Sequence, residues 1–280
     1  MHQAEREGNA RARESGHNRR PSAPFFLVYF YAFTVIYSRN AEILHMTGFW
    51  ESLAGALGLI LQGDGDLTEI IALSLQVTLS AVALACLIGL PLGAVLGAFR
   101  FPGRSILIVV VNALMGLPPV VVGLVVYLML SASGPLGVLG LLYTPAAMVI
   151  AQTVLVTPIV AALTRQVIED LNAEYAEQFA SLGVRAGQRT QALLWDARFS
   201  LLTVALAGFG RAAAEVGAVM IVGGNINHAT RVMTTAIALE TSKGNLELAL
   251  ALGVVLLGIA LAVNLAVMAL RGTAARAAYA

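Results

Sequence analysis

The sequence predicts an all-α, polytopic membrane helical bundle, and three observations carry that prediction. Of the 280 residues, 58% are hydrophobic and only 12% charged, about half the charged fraction of an ordinary soluble domain. Mean hydropathy is +0.81, and the apolar residues collect into five runs, each long enough to cross about 30 Å of hydrocarbon as a helix. None of the runs alternates with period two, so helices rather than a closed barrel satisfy the backbone in lipid. An ordinary soluble enzyme is excluded, and no catalytic residue is expected. The lone cysteine, Cys86, can form no intrachain disulfide. No Cys/His spacing suggests a metal or cofactor site, and a net charge of +1 gives no sign of a nucleic-acid partner.

Residues 1–45 form an N-terminal extension. Residues 1–20 are polar with five Arg, and 25–37 (FFLVYFYAFTVIY) is an apolar stretch of 13 residues, about 20 Å as a helix and short for a span. The extension is expected to be either an extra anchor or the product of an upstream start codon, with Met46 as the natural start. An intact mass beginning at Met46 distinguishes the two. In 46–66, Met46, Phe49, Trp50, Leu53, Leu57, Ile60 and Leu61 share one face of a helix, which suits it to lie in the membrane interface.

The transmembrane domain, 67–271, holds spans at about 69–99, 105–131, 144–163, 199–222 and 246–270. In the first, Gly89, Gly93 and Gly97 recur every fourth residue around Pro91; they allow close helix packing or a hinge. In the second, the MGLPP run ending in Pro118 and Pro119 removes two backbone donors and predicts a bend or break. Irregular backbone at that depth needs protein or a water-filled cavity over it, so the break marks either a structural kink or a translocation path. Asn112, Gln152 and Asn264 are expected to make interhelical hydrogen bonds.

Basic residues set the orientation. Arg100 and Arg104, then Arg165, Arg185, Arg189 and Arg198, then Arg271 and Arg276 fall on one side; Arg231 and Lys243 fall on the other. The 164–198 connection and the C-terminus are therefore expected in the cytoplasm, and 132–143 and 223–245 outside.

Only Arg211 and Glu215 are ionisable within the core of a span. At i and i+4 they can pair on one helix face. They form either a structural ion pair or a source of positive potential on an anion path; one Arg and one Glu do not make the acidic relay of a proton-coupled pump.

The 164–198 connection reads as a projecting knob. Asn172 is expected to cap a short helix beginning near Ala173, with Gly183 just past its end, and a second amphipathic helix from about 187 leads into the fourth span. On the outer side, 230–243 is expected to form a short helix with Thr230, Arg231, Thr234, Thr235 and Glu240, as a gate or a partner contact.

Within the knob, Glu177-Gln178-Phe179, then Ala180, Ser181 and Leu182, then Gly183, resembles the EAA loop of ABC importer permeases. After nine intervening residues Leu193 stands at that motif's Ile position, while Trp195-Asp196 replace its Leu-Pro and Gln178-Phe179 its two alanines. Together with NALMGLPPVVVGLVVYLML (112–130), AGFGRAAAEVGAVMIVGGNI (207–226) and TRVMTTAIALETSKG (230–244), the chain over 46–271 resembles tungstate-type oxyanion permeases and, more broadly, molybdate and sulfate permeases.

The resemblance implies a five-span, binding-protein-dependent ABC permease fold and a homodimer in the bacterial inner membrane. It implies two cytoplasmic ATPase subunits docked on the 177–183 elements and an extracytoplasmic oxyanion-binding protein. It places Arg211, Glu215, Gly223, Gly224 and Asn225 near the substrate path and gate, and Arg231, in the outer 230–243 segment, is expected at the gate from its position there. The implied cargo is a tetrahedral oxyanion, tungstate first, with molybdate or sulfate as alternatives and a stand-alone channel or secondary carrier as a different class. A P-loop needs G-x-x-x-x-G-K-[ST], and the single Lys, Lys243, sits in ETSKGN. ATP hydrolysis is therefore expected on another subunit.

Overall fold

The computed structural model describes residues 46–62 and 65–278; the 25–37 stretch and the rest of the N-terminal extension lie outside the described residues. Two units divide at Glu51 and Ser52. Of the first, only 46–51 are described, and they are helical; the second holds the bundle. Among the described residues the regular structure is all helical, without a strand.

In chain order the helices are α1 (Met46–Gln62), α2 (Gly65–Ala98), α3 (Arg104–Met115), α4 (Pro119–Leu130), α5 (Pro145–Glu174), α6 (Ala176–Ser181), α7 (Ala186–Asp196), α8 (Arg198–Ala213), α9 (Gly217–Gly223), α10 (Met233–Lys243) and α11 (Leu246–Ala278). Three of them, α2, α5 and α11, are long and apolar enough to cross a membrane alone. Two bent pairs, α3 with α4 and α7 with α8, bring the possible spans to five.

The centre of the bundle is the pair α2 and α5. A Cβ on Gly93 would lie 2.4 Å from the Ala161 carbonyl oxygen, one on Gly97 2.8 Å from that of Arg165, and one on Gly89 2.9 Å from Val160 Cβ. The glycine stripe therefore serves close packing, and the rising register on both helices makes them parallel. Pro91 sits inside α2 without ending it. A parallel pair requires the chain to return between them, which α3 and α4 do.

Three expectations need correction. The third span does not stop at 163: α5 runs on to Glu174, because Arg165 pairs with Glu169 one turn on and Ile168 is fully buried against Ala94, Leu193 and Ala197. Asn172 consequently caps nothing and lies inside α5; its side-chain oxygen accepts from Arg189 Nε at 2.5 Å, tying α5 to α7. Of the three lone polar residues only Gln152 bonds across helices, to the Ala212 carbonyl at 3.2 Å. Asn264 donates to Ala260 within its own helix, and Asn112 is exposed on α3.

Helix α1 forms as expected but packs one position round from the predicted stripe. Ala56, Leu59 and Ile60 pack with Leu67, Ile70, Met233 and Leu252, and Leu57 and Leu61 stay exposed.

Candidate functional site

The helical path is interrupted between α3 and α4 and again between α8 and α9, and the interruptions adjoin. Helix α3 ends at Met115, Pro118 is extended, and α4 starts at Pro119 with its axis turned by 101°. The Pro118 carbonyl accepts from both Val121 and Val122, which satisfies two N–H groups of the first turn of α4, where Pro119 has none to satisfy.

The second interruption lies at Ala214-Glu215-Val216, between α8 and α9. A Cβ on Gly217, the first residue of α9, would lie 2.9 Å from Val120 Cγ2, and one on Gly123 2.7 Å from Ala218 Cα. The two half-helices thus meet backbone to backbone just beyond their breaks.

Arg211 and Glu215 do pair, Nη1 to Oε2 at 2.6 Å, but not on one continuous helix face. Glu215 stands in the break, 3% exposed, while Arg211 is 32% exposed. The other carboxylate oxygen accepts from the Ala218 N–H at 3.0 Å, closing the start of α9. The freed backbone is answered from both neighbours: Gln152 reaches the Ala212 carbonyl, and Thr234 Oγ1 donates to the Glu215 carbonyl at 2.8 Å. Beside the break a cavity of about 20 Å³ is lined by Ser74, Thr78, Gln152 and Thr234, room for about one water. Gln152 Oε1, buried and without a protein donor, belongs to its lining.

Gly223, Gly224 and Asn225 form a turn at the end of α9. Gly223 meets Met148 closely, with a Cβ position 2.9 Å from its sulfur. Gly224 and Asn225 take φ of 72° and 50°, a region glycine and asparagine tolerate. Thr235 Oγ1 donates to Asn225 Oδ1 at 2.9 Å, and Thr230 Oγ1 bonds the Gly223 carbonyl at 2.5 Å. These bonds tie the end of α9, through the 224–232 loop, to the first turn of α10.

Arg231 lies in another cleft, with Asp66, Glu69 and His228 at the start of α2. His228 Nδ1 and Glu69 Oε2 are 2.7 Å apart. That hydrogen bond, then the Glu69 charge, raises the His228 pKa. Asp66, Glu69 and His228 stand close enough to share an ion, a juxtaposition across 159 positions of sequence that no local spacing reveals. Lys243 pairs with Glu240 at 2.8 Å, which holds that carboxyl below its usual range.

At the opposite end of the bundle, α6 and α7 form a mounted elbow. Glu177, Gln178, Ala180, Ser181, Leu182 and Gly183 are exposed, Leu182 to 76%. Phe179 is half-buried, edge-on to Tyr175 and under the Arg189 guanidinium. Gly183 has φ 60°, its N–H bonds the Ala180 carbonyl, and the Val184 N–H reaches back to Phe179. This is a glycine-closed helix end of the Schellman type. Leu193 is fully buried. Tyr175 donates to Asp196 at 2.8 Å, which raises the phenol's pKa.

Comparison with known proteins agrees with this architecture. Residues 89–274 match the family described as binding-protein-dependent transport system inner membrane component. The chain is similar to a tungstate uptake system permease protein of Peptoclostridium acidaminophilum, 40% identical over 221 residues, covering 79% of this chain and 97% of the relative. It is 41% identical to a probable anion ABC transporter permease protein of Haloferax volcanii over 210 residues, 72% of this chain and 90% of that one. A sulfate transport system permease protein of Escherichia coli is more distant, 28% identical over 191 residues, 65% of this chain and 66% of the relative.

Proposed function

The chain belongs to the family of binding-protein-dependent transport system inner membrane components, and from that membership we propose that it is the permease of an ATP-driven importer for a tetrahedral oxyanion, tungstate before molybdate or sulfate. The observation that carries the choice of an anion is Arg211. Its guanidinium stands at a helix break within the spans, Nη1 engaged by Glu215 and its remaining nitrogens without an acceptor among the described residues. A guanidinium presents donors only, in a fork that suits oxyanions. Because Glu215 offsets its charge, an anion is attracted without being trapped.

Movement in this reading is alternating access. The hinge elements are the two adjoining breaks, and α9 with α10, joined through Thr235 and Thr230, acts as the outer gate. The elbow bearing Glu177 to Gly183 docks a cytoplasmic ATPase subunit, with exposed Leu182 as its apolar tip. The basic end of the bundle and the C-terminus face the cytoplasm, and an oxyanion-binding protein delivers cargo at the end carrying 223–245. The exposed apolar faces of α3, α4 and α11 meet lipid and a second permease copy.

Reconstituted vesicles holding permease, ATPase and binding protein test the proposal. Tungstate should accumulate only with ATP, and Arg211→Gln should depress that uptake. Accumulation driven by an ion gradient alone overturns the reading, and competition among tungstate, molybdate and sulfate in the same assay fixes the cargo.

A further inference from the structure

Behind the elbow lies a recess that neither the breaks nor the docking element accounts for. It is a cavity of about 650 Å³ between the last turn of α2, the end of α5 and the start of α7, lined by Arg100, Arg104, Glu169, Asn172, Arg189 and Thr190, among others. Three guanidiniums face one carboxylate, so two positive charges are in excess. The carboxylate is already shared: Glu169 accepts from Arg104 at 2.7 Å through one oxygen and from Arg165 through the other. It is thus left with nothing for Arg100 or Arg189.

The guanidiniums are fixed but not exhausted. Arg104 Nε is held by the Leu96 carbonyl at 2.7 Å and Arg189 Nε by Asn172, which leaves both Nη groups of Arg189 and one of Arg104 without an acceptor among the described residues. Arg100 is exposed, with no side-chain hydrogen bond or ion pair among the described residues. Next to the recess, Arg165 Nε is buried and has no acceptor either. The cluster is oversupplied with donors and short of oxygens.

We propose that this recess binds a tetrahedral oxyanion of the phosphate type, held by Arg100, Arg104 and Arg189, at a site separate from Arg211. Forked N–H donors match such an anion, and the volume exceeds what one anion needs, leaving room for the rest of a phosphorylated molecule. Two sources share this chemistry: free inorganic anion and the headgroup phosphate of an anionic lipid. An occupant would join the ends of α2 and α5 to the start of α7 and so stiffen the mounting of the elbow. The inference does not rest on which cargo crosses the membrane.

The test uses the full-length protein in nanodiscs. With purely zwitterionic lipid, calorimetric titration of inorganic phosphate should show saturable binding, weakened about tenfold or more by Arg100→Gln and abolished in the Arg100→Gln, Arg189→Gln double variant. Arg100 is exposed and unbonded, so its variant should unfold at the wild-type temperature, which separates lost binding from lost fold. With phosphatidylglycerol present, a headgroup occupant would block the titration and appear in native mass spectra as a retained lipid that the double variant loses. Phosphate binding unchanged in the double variant overturns the proposal. So does a wild-type protein that holds neither phosphate nor anionic lipid.

Discussion

Arg211 donates to Glu215 at 2.6 Å across the end of a helix: Arg211 lies in the last turn of α8 and Glu215 two residues beyond it. The pair is asymmetric, with the carboxylate almost fully buried and the guanidinium one-third exposed. Glu215 also does two jobs, one oxygen on Arg211 and the other on the Ala218 N–H.

That asymmetry orders a mutant series. Glu215→Gln keeps an oxygen for Ala218 but loses the charge, and should cost about 1.5–3 kcal/mol. Glu215→Ala loses the cap as well, about 1 kcal/mol more. Arg211→Gln should cost most, up to about 3–5 kcal/mol, because it strands the buried carboxylate. Thermal unfolding in detergent measures all three, and Arg211→Gln milder than Glu215→Gln would contradict the assigned roles.

Glycine substitutions should divide sharply by position. Gly93→Ala puts a methyl 2.4 Å from a backbone carbonyl of α5, and Gly123→Ala puts one 2.7 Å from Ala218 Cα. In each case backbone must move, at a cost of about 1–3 kcal/mol or more. Gly258 in α11 has nothing within 4 Å of its Cβ position, so Gly258→Ala should gain up to about 1 kcal/mol of helix propensity. The same unfolding assay reads both, and a stable Gly93→Ala protein would refute the close α2 and α5 packing.

The His228 and Glu69 contact should depend on pH. The His228 pKa is raised in the folded protein, chiefly by its hydrogen bond to Glu69 and then by that charge, with Asp66 adding and Arg231 opposing. A raised histidine stabilises most fully below its unfolded pKa of about 6.5, and the contribution is lost as pH rises through the higher folded value. Hydrogen exchange over 226–231 should therefore be slower near pH 5.5 than near pH 8, after correction for intrinsic rates. Glu69→Gln should flatten the difference; a wild-type protein with no difference would show that the contact does not hold the loop.

What was legible in the sequence follows from where the physics is local. The MGLPP break could be read because Pro118 and Pro119 lack donors wherever they stand. The break at 214–216 could not, since Ala212, Ala213 and Ala214 are good helix formers and contain no Gly or Pro. It exists because Glu215 is captured by Arg211 and Ala218 while Gln152 and Thr234, from two other helices, satisfy the freed carbonyls. Likewise α5 outruns its apolar stretch because Ile168 finds a buried place against α7, a contact that hydropathy does not encode. The neighbours of Arg231 are equally invisible to local spacing, because the fold sets it beside Glu69 and His228 from the start of α2 and the loop before α10.

The elbow offers a test in which conformation and sterics separate. Gly183 has φ 60° and open space around its Cβ position, so any effect of a small side chain there comes from backbone strain alone. Gly183→Ala should cost about 1–2 kcal/mol locally, unwinding the turn that presents Leu182 and weakening retention of the ATPase subunit during purification. Gly183→Asn should be milder, because asparagine visits the left-handed region more readily. Membrane insertion should be normal in both, since the spans are untouched. If Gly183→Ala retained the partner as tightly as wild type while Leu182→Asp released it, the turn geometry would be dispensable and the apolar tip alone would carry docking. If neither variant released it, the elbow would not be the docking element.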